Sequence, residues 1–216
     1  MTGVQTCALP IWDHLRLIDE TVDLVRAALA LVDRSAAYLR KPYRDVYLDG
    51  LGLDPFTATE EELRSALGDI RIDADGLTRD DWLDLLMSYR LQPAFPAQQL
   101  LAIHDYPASQ CALARIRADQ PPVAERFELY LGPLELANGY HELTDAEEQR
   151  ARFERDLDRR GRRAAAMPPV DQHLLDAMAK GLPACAGVAL GVDRLLMAML
   201  GSVSIGDVLA FDFARA

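Results

Sequence analysis

Apolar and polar residues alternate along residues 127–131, which read FELYL. This two-residue period is typical of a half-buried strand. Gly132-Pro133 interrupts the pattern and residues 134–137 resume it, so the stretch predicts a β-hairpin. The hairpin would place Glu128 and Glu135 almost opposite each other, where two carboxylates repel unless a cation lies between them. Because Mg²⁺ prefers oxygen ligands and usually binds with substrate phosphates, the pair is a candidate metal–nucleotide site. The alternative is a solvated face that carries two glutamates.

A second patterned stretch alternates small and apolar residues. Gly187, Ala189 and Gly191 form one face of the predicted strand. The other face carries Val188, Leu190 and Val192. A row of residues with almost no side chain lets a flat ligand approach the backbone. Asp193-Arg194 comes where the pattern changes to a helix, and a guanidinium there can stack on a base or grip phosphate. The alternative is a small-residue strand packed beneath a helix. A dinucleotide fingerprint is excluded, since G-x-G-x-x-G is absent.

The other apolar positions mostly follow helical spacing. A helix is predicted from Trp12, with its apolar face formed by Leu15, Ile18, Val22, Val25 and Leu29. After a loop at residues 43–55, a capping box at Thr59 predicts a helix start. The next helix is expected over residues 78–91, and its buried residues would be Trp82, Leu85, Leu86 and Tyr89.

The rest of the chain adds two helices and two short strands. Thr144 would begin a charged helix that ends at Gly161, with Glu147 completing a capping box. Pro168-Pro169 would open the other helix. Strands are predicted at residues 100–103 and 208–213. Because strands and helices do not alternate regularly, the order favours an α+β fold with a mainly antiparallel sheet flanked by helices.

Composition narrows the function classes. The 216 residues are 50% hydrophobic and carry a net charge of −11. Such an acidic chain is a poor general binder of nucleic acid, and it lacks the long apolar run of a membrane span. The three cysteines are few and scattered, which suits a reducing cytoplasm. Three of the four histidines, His14, His104 and His173, lack metal-ligand spacing and are predicted to be surface or core residues.

The leader, residues 1–11, shows neither a signal-peptide pattern nor a pattern continuous with the helix predicted from Trp12. We expect it to be a non-native, adapter-like segment. A glycine at position 76 suggests a calcium loop, but the loop's first and last ligand positions would then be Arg71 and Trp82. Neither supplies the required oxygen, so a turn and a helix cap are expected there.

Three segments of the sequence together resemble a known protein family. RFE at 126–128, ELANGYHEL at 135–143 and GVALGVDR at 187–194 resemble class II lysyl-tRNA synthetases, the last matching their motif 3. The resemblance is closer to the synthetase paralogues that act as elongation factor P–(R)-β-lysine ligases. It runs from about Trp12 to the C-terminus and includes PASQ at 107–110. It implies a class II synthetase-like catalytic domain.

The resemblance also implies roles at the nucleotide. Glu128 and Glu135 match the carboxylates that bind Mg²⁺ with ATP. Leu136 and Gly191 match positions that line the ATP site. Arg194 matches the motif 3 arginine, which braces ATP and stabilises charge on the departing phosphates; Arg194 and Glu135 are therefore the expected catalytic residues.

At the amino-acid end, Asn138 and Glu142 match residues that hold a lysine-type substrate, Glu142 by pairing with an amino group. Ala189 stands where lysyl-tRNA synthetases have glycine, and His141 where they have serine; both features resemble the ligases. Glu135 and Glu142 would face opposite ways in an unbroken strand. A bulge or bend at Gly139 is therefore expected to bring them to one cavity.

The implied reaction is activation of (R)-β-lysine or lysine by ATP, followed by transfer to a lysine side chain of elongation factor P. Partners other than tRNA, no membrane, and a homodimeric full-length relative are expected. Motifs 1 and 2 should lie upstream of Trp12, so the chain is expected to be incomplete at its N-terminus and weak or inactive alone. A lysyl-tRNA synthetase fragment, a non-catalytic nucleotide-binding module and a generic α+β domain remain alternatives.

Overall fold

The computed structural model describes residues 13–73, 76–162 and 166–211, together with the backbone of residues 4–8. The strands of this part of the chain are β1 Val4–Ala8, β2 Ala37–Pro42, β3 Gln99–Pro107, β4 Ile116–Arg117, β5 Val123–Leu131, β6 Leu134–His141 and β7 Ala186–Leu190. Its α-helices are α1 His14–Ala30, α2 Tyr43–Leu51, α3 Glu60–Leu67, α4 Arg79–Leu86, α5 Ala146–Arg162, α6 Gln172–Ala179 and α7 Val192–Leu200. A π-helical turn, Met87–Leu91, extends α4.

One mixed sheet organises these elements in the order β1-β7-β6-β5-β3-β2, with β4 pairing to β5. All pairs are antiparallel except β2 with β3. The predicted α+β fold with a mainly antiparallel sheet is therefore confirmed. Strand β1 lies within the leader and pairs with β7; the non-native origin of the leader stays a prediction. No helix in the described ranges is both long and apolar enough to cross a membrane.

Both faces of the central strands are covered. On one face, α1 packs its predicted apolar stripe against Phe127, Leu129 and Val188. On the other face, α2, α3 and α4 pack against Tyr106 and Tyr130. Strand β5 is therefore buried on both sides, and the predicted half-buried strand is wrong in this respect because a second helical layer replaces solvent.

Helix starts follow the expected capping chemistry with two exceptions. Thr59 and Thr78 each accept a backbone hydrogen bond in a capping box. Residues 43–51 of the predicted loop instead form α2, because Tyr43, Val46 and Tyr47 bury one face of that helix, whereas residues 52–55 belong to no helix or strand. Helix α5 is capped by Asp145, whose Oδ1 accepts from the backbone of the second and third helical residues, rather than by a Thr144 box.

Three further expectations are wrong. Tyr89 is 55% exposed, since the π-helical turn moves it off the buried face of α4. Val192 does not continue the apolar face of β7 but begins α7 and is exposed. Residues 208–211 form no strand; a 3₁₀ turn, Ile205–Asp207, precedes them. Residues 212–213 of that predicted strand, and residues 74–75 of the rejected calcium loop, lie outside the described ranges.

Candidate active site

A β-bulge in the hairpin decides which side chains share the site face. Leu129 pairs with Ala137, but the next pair is Tyr130 with Glu135, so Leu136 has no partner across the strand. Leu136 and Ala137 both pack into the core beneath α1, as expected where two residues of a bulged strand oppose one. The bulge thus turns Glu135 to the opposite face, the face of Tyr130.

This geometry unites the two predicted halves of the site. With Glu135 turned by the bulge, it shares a face with Asn138 and Glu142, which lie four residues apart along the chain. The predicted bulge exists but not at Gly139. A side chain at Gly139 would clash with the Phe127 ring and lie 2.8 Å from the carbonyl oxygen of the adjacent β7 residue, so this glycine is needed for close packing.

The sequence predicts that Glu128 lies opposite Glu135, and this prediction is wrong. The cross-strand neighbour of Glu128 is Asn138. Its buried carboxylate instead accepts hydrogen bonds from Tyr106 at 2.7 Å and from Tyr130 at 2.5 Å. Arg126 Nη2 donates at 2.5 Å, and Asn138 Nδ2 lies at 3.5 Å. Because an ionised carboxylate has about four lone-pair sites, these donors fill its capacity.

The Glu128 carboxylate shifts the pKa values of the side chains that contact it. Burial raises the pKa of Tyr106 and of Tyr130, and the negative charge of Glu128 raises both further. Burial alone would lower the pKa of Arg126, but Glu128, together with Tyr106 and Tyr140, outweighs it and raises that pKa. Arg126 also lies 4.5 Å above the Tyr106 ring and donates to the carbonyl oxygen of Gln110 at 3.1 Å.

Arg194 and Glu135 meet at the junction of β7 and α7. Arg194 Nη1 donates to the carbonyl oxygen of Glu135 at 2.9 Å and lies 3.4 Å from its Oε2. Both side chains are about one-third exposed, at 34% and 29%. Burial raises the pKa of Glu135, and Glu128 raises it further, although Arg194 opposes this. Glu135 is thus a partly open carboxylate in a negative environment, which suits a cation.

The small-residue face lies where the sequence places it. Ala189 is exposed and pairs with Asn138, while Gly187 pairs with Tyr140 on the same face. The backbone N–H of Gly191 donates to the carbonyl oxygen of Leu136 at 2.8 Å, which joins the two expected ATP-lining positions. A Cβ at Gly191 would make only ordinary contacts, at 3.5 Å or more, so packing within the described chain does not require glycine there.

Two polar groups on this face lack protein partners among the described residues. Glu142 makes no side-chain hydrogen bond or ion pair there, and burial raises its pKa. The Oδ1 of Asn138 is buried without a hydrogen-bond donor, since its Nδ2 faces Glu128. A half-buried anion and an unused acceptor together suit a ligand that carries an ammonium group.

A cleft of about 480 Å³ adjoins Arg126 on the same face. Its lining residues include Asp80, Asp84, Gln110, Arg126, Arg159 and Arg160. Burial raises the pKa of Asp84 to about 6. The sequence gives no reason to place Arg159 and Arg160 at a cleft, and it misses both tyrosines that bind Glu128. Tyr130 lies two residues after Glu128, so the two-residue period places it on the same face of the strand; Tyr106, on another strand, has no such local signal.

The geometry agrees with the comparison to known sequences. The family of class II tRNA synthetases (D, K and N) matches residues 53–215. Proteins named elongation factor P–(R)-beta-lysine ligase from Salmonella typhi, Salmonella gallinarum and Salmonella paratyphi B are each 42% identical over 210 residues, covering 96% of the chain. The chain spans 63% of the length of these relatives. The predicted resemblance to this family is confirmed, and the chain belongs to the class II tRNA synthetases (D, K and N).

Proposed function

We propose that this face activates (R)-β-lysine or lysine with ATP and transfers it to a lysine side chain of elongation factor P. The observation that carries the proposal is the pairing of an open ammonium-binding end, Glu142 and Asn138, with a phosphate-binding end, Glu135 and Arg194, on one side of one sheet. Family membership and the names of the Salmonella relatives support the choice of substrates.

The chemistry requires positioning rather than a protein nucleophile. A carboxylate oxygen of the amino acid attacks the α-phosphorus of ATP, a new P–O bond forms, and pyrophosphate leaves. The acceptor amine then attacks the carbonyl carbon of the adenylate, loses a proton, and AMP leaves. Arg194, held by the Glu135 carbonyl oxygen at 2.9 Å, would brace the nucleotide and balance the charge of the leaving phosphates.

Mg²⁺ would enter with ATP and neutralise phosphate charge. Glu135 fits this ion because its carboxylate is partly open and lies in a negative environment that raises its pKa. Glu128 is the second proposed carboxylate, but it would have to release one of its four donors to bind the metal directly. Gly191 and the backbone of Leu136 would form the wall against the adenine, because the Leu136 side chain itself packs into the core beneath α1 on the other face.

The end of the site that would bind the amino acid would select its substrate by charge. Glu142 would pair with an ammonium group of the substrate, and Asn138 Oδ1 would accept a hydrogen bond from it. Ala189, exposed on the same face, adds a methyl group that narrows the pocket floor. A methyl group alone discriminates modestly, so the charge of Glu142 carries most of the selection.

A protein acceptor agrees with the net charge of −11, which disfavours general binding of nucleic acid. The cytoplasm is the proposed compartment, since three widely scattered cysteines do not make a disulfide framework. A homodimer of the full-length relative is also part of the proposal, and it depends on family membership alone.

Acceptor choice tests the proposal. The chain is supplied with synthetic, radiolabelled β-lysyl-adenylate and either elongation factor P or tRNA(Lys), which avoids dependence on the activation step. We expect label on elongation factor P, and none with a factor whose acceptor lysine is changed to arginine. Label on tRNA(Lys) alone would instead favour a lysyl-tRNA synthetase. ATP binding without transfer to either acceptor would favour a non-catalytic nucleotide-binding module.

A further inference from the structure

A second polar cluster lies on the opposite face of the sheet, beneath the N-terminus of α1. His14 opens α1, Glu125 lies on β5, and His141 ends β6. Glu125 lies two residues before Phe127, so it shares the face of Phe127, which packs beneath α1. One potential ligand atom from each of these three residues lies within 4.8 Å of the other two.

The ligand atoms of this cluster are buried and make no hydrogen bonds within the part of the chain that the structure describes. Both ring nitrogens of His14, Oε2 of Glu125 and Nδ1 of His141 have no hydrogen-bond partner among the described residues. The side chain of His14 is 2% exposed and that of Glu125 is 8% exposed. Buried polar atoms are rarely left without partners because each costs free energy, so the grouping of several at one point indicates a cation site.

The angle between His141 and Glu125 does not fit a hydrogen bond, although their distance does. His141 Nδ1 and Glu125 Oε2 are 2.8 Å apart, yet their geometry is not that of a hydrogen bond. Around a tetrahedral Zn²⁺ with bonds of about 2.0–2.2 Å, neighbouring ligand atoms lie about 3.3–3.5 Å apart. Shifts of well under ~1 Å would therefore seat all three atoms on one ion.

A supporting carboxylate is also present. His14 Nε2 lies 3.4 Å from Asp105 Oδ1, and a second carboxylate beside a metal-bound histidine orients its ring. Arg117 holds Asp105 in place through two hydrogen bonds, at 2.9 and 3.3 Å. His104 Nδ1 lies 3.3 Å from the other Asp105 oxygen.

Two arginines compete for Glu125 only weakly. Arg115 Nε and Arg117 Nη1 each lie 3.6 Å from one of its oxygens, which is longer than a normal hydrogen bond. The Arg115 side chain is 55% exposed, so it can turn towards solvent. Glu125 therefore retains the capacity to bind a metal.

We propose that His14, Glu125 and His141 bind one divalent transition-metal ion of the zinc class, with Asp105 as a positioning residue and a fourth position open to water. Two imidazoles and one carboxylate form a donor set that suits Zn²⁺. The ion would pin α1 to β5 and β6, on the face opposite the ATP and amino-acid site, and so stabilise the strand that leads into Glu142.

Zinc binding to tag-free, metal-stripped protein tests this site. Calorimetry should show one equivalent of Zn²⁺ bound, and Tm should rise by about 5–10 °C at a zinc concentration of about 100 Kd. His14→Gln or His141→Gln should weaken binding at least ~100-fold, and Asp105→Asn by about 10–100-fold. His173→Gln, at an exposed histidine elsewhere, should bind like the parent.

Absence of a saturable site in the parent chain, or equal zinc affinity in His14→Gln and the parent, would overturn the proposal. Should the variants not fold, X-ray absorption at the zinc edge of the parent protein decides. Two imidazole ligands with oxygen support the site. A sulfur-rich spectrum would place the ion on the cysteines instead and refute it.

Discussion

The Glu128 network should be the most sensitive point of the fold beneath the active site. Glu128→Gln preserves the shape of the side chain but removes its charge. The two tyrosine hydroxyls can still donate to the remaining oxygen, whereas the new amide would place its N–H groups against the Arg126 guanidinium. The Arg126 side chain is 18% exposed, so the change leaves a largely buried cation without its anion.

The expected cost follows from this burial. Breaking a buried ion pair by removing one partner costs about 3–5 kcal/mol. The Tyr106 ring, 4.5 Å from the guanidinium, remains and compensates in part. We therefore expect Glu128→Gln to lower the free energy of unfolding by about 3 kcal/mol, or about 150-fold in the folding equilibrium.

Urea unfolding of a double-mutant cycle measures this coupling. Arg126→Met alone should also destabilise the chain, because it leaves Glu128 as the unpaired buried charge. The double variant, Arg126→Met with Glu128→Gln, should be more stable than the sum of the single losses predicts, by at least about 1.5 kcal/mol. Additive losses would show that the two side chains do not act as a buried pair, and would refute the reasoning.

Three other changes probe the site itself. Gly139→Ala should destabilise the chain by about 3 kcal/mol, because its methyl group meets the rigid Phe127 ring. The control is Gly161→Ala in α5, where a Cβ makes only ordinary contacts, and it should stabilise the chain by up to ~1 kcal/mol. Equal effects of the two changes in urea unfolding would contradict this. Since burial raises the pKa of Glu142, its ionised form costs stability above that pKa, and the cost vanishes below the ordinary value. Glu142→Gln should therefore stabilise the chain more at about pH 7 than at about pH 4 in thermal unfolding, and a pH-independent difference would argue against a buried charge. Arg194→Lys should weaken ATP binding at least ~10-fold by calorimetry, because lysine cannot keep the planar contact with the Glu135 carbonyl oxygen; unchanged affinity would exclude Arg194 from the nucleotide site.

The local periodicity of apolar and polar residues explains most of the features that the sequence predicts correctly. The hairpin, the small-residue strand and the arginine at its junction with α7 each depend on neighbours within a few residues. The register of β5 against β6 does not. It depends on a bulge at Leu136. Packing beneath α1 determines the position of this bulge, and no turn residue in the sequence marks it.

Long-range contacts account for the features that the sequence misses. The sequence predicts that Glu128 faces a second carboxylate, but one of its partners, Tyr106, lies on strand β3 and meets it where α2–α4 cover that face. Likewise His14 and His141 are more than a hundred residues apart in the chain. Ligand spacing within one segment cannot reveal such a cluster, so histidines that look isolated in sequence converge in the structure.

Binding of a stable β-lysyl-adenylate analogue, a sulfamoyl ester of adenosine, tests the proposed site most directly. Because the relatives are longer than the chain, calorimetric binding isolates the residues present from the rate of turnover. We predict that one analogue binds per chain and that Glu142→Gln binds it at least about 30-fold more weakly, because this change removes the ion pair between Glu142 and the ammonium group of the analogue. Glu147→Gln, on the exposed side of α5, should bind like the parent. Equal affinity of Glu142→Gln and the parent would contradict the assignment of this face as the amino-acid activation site.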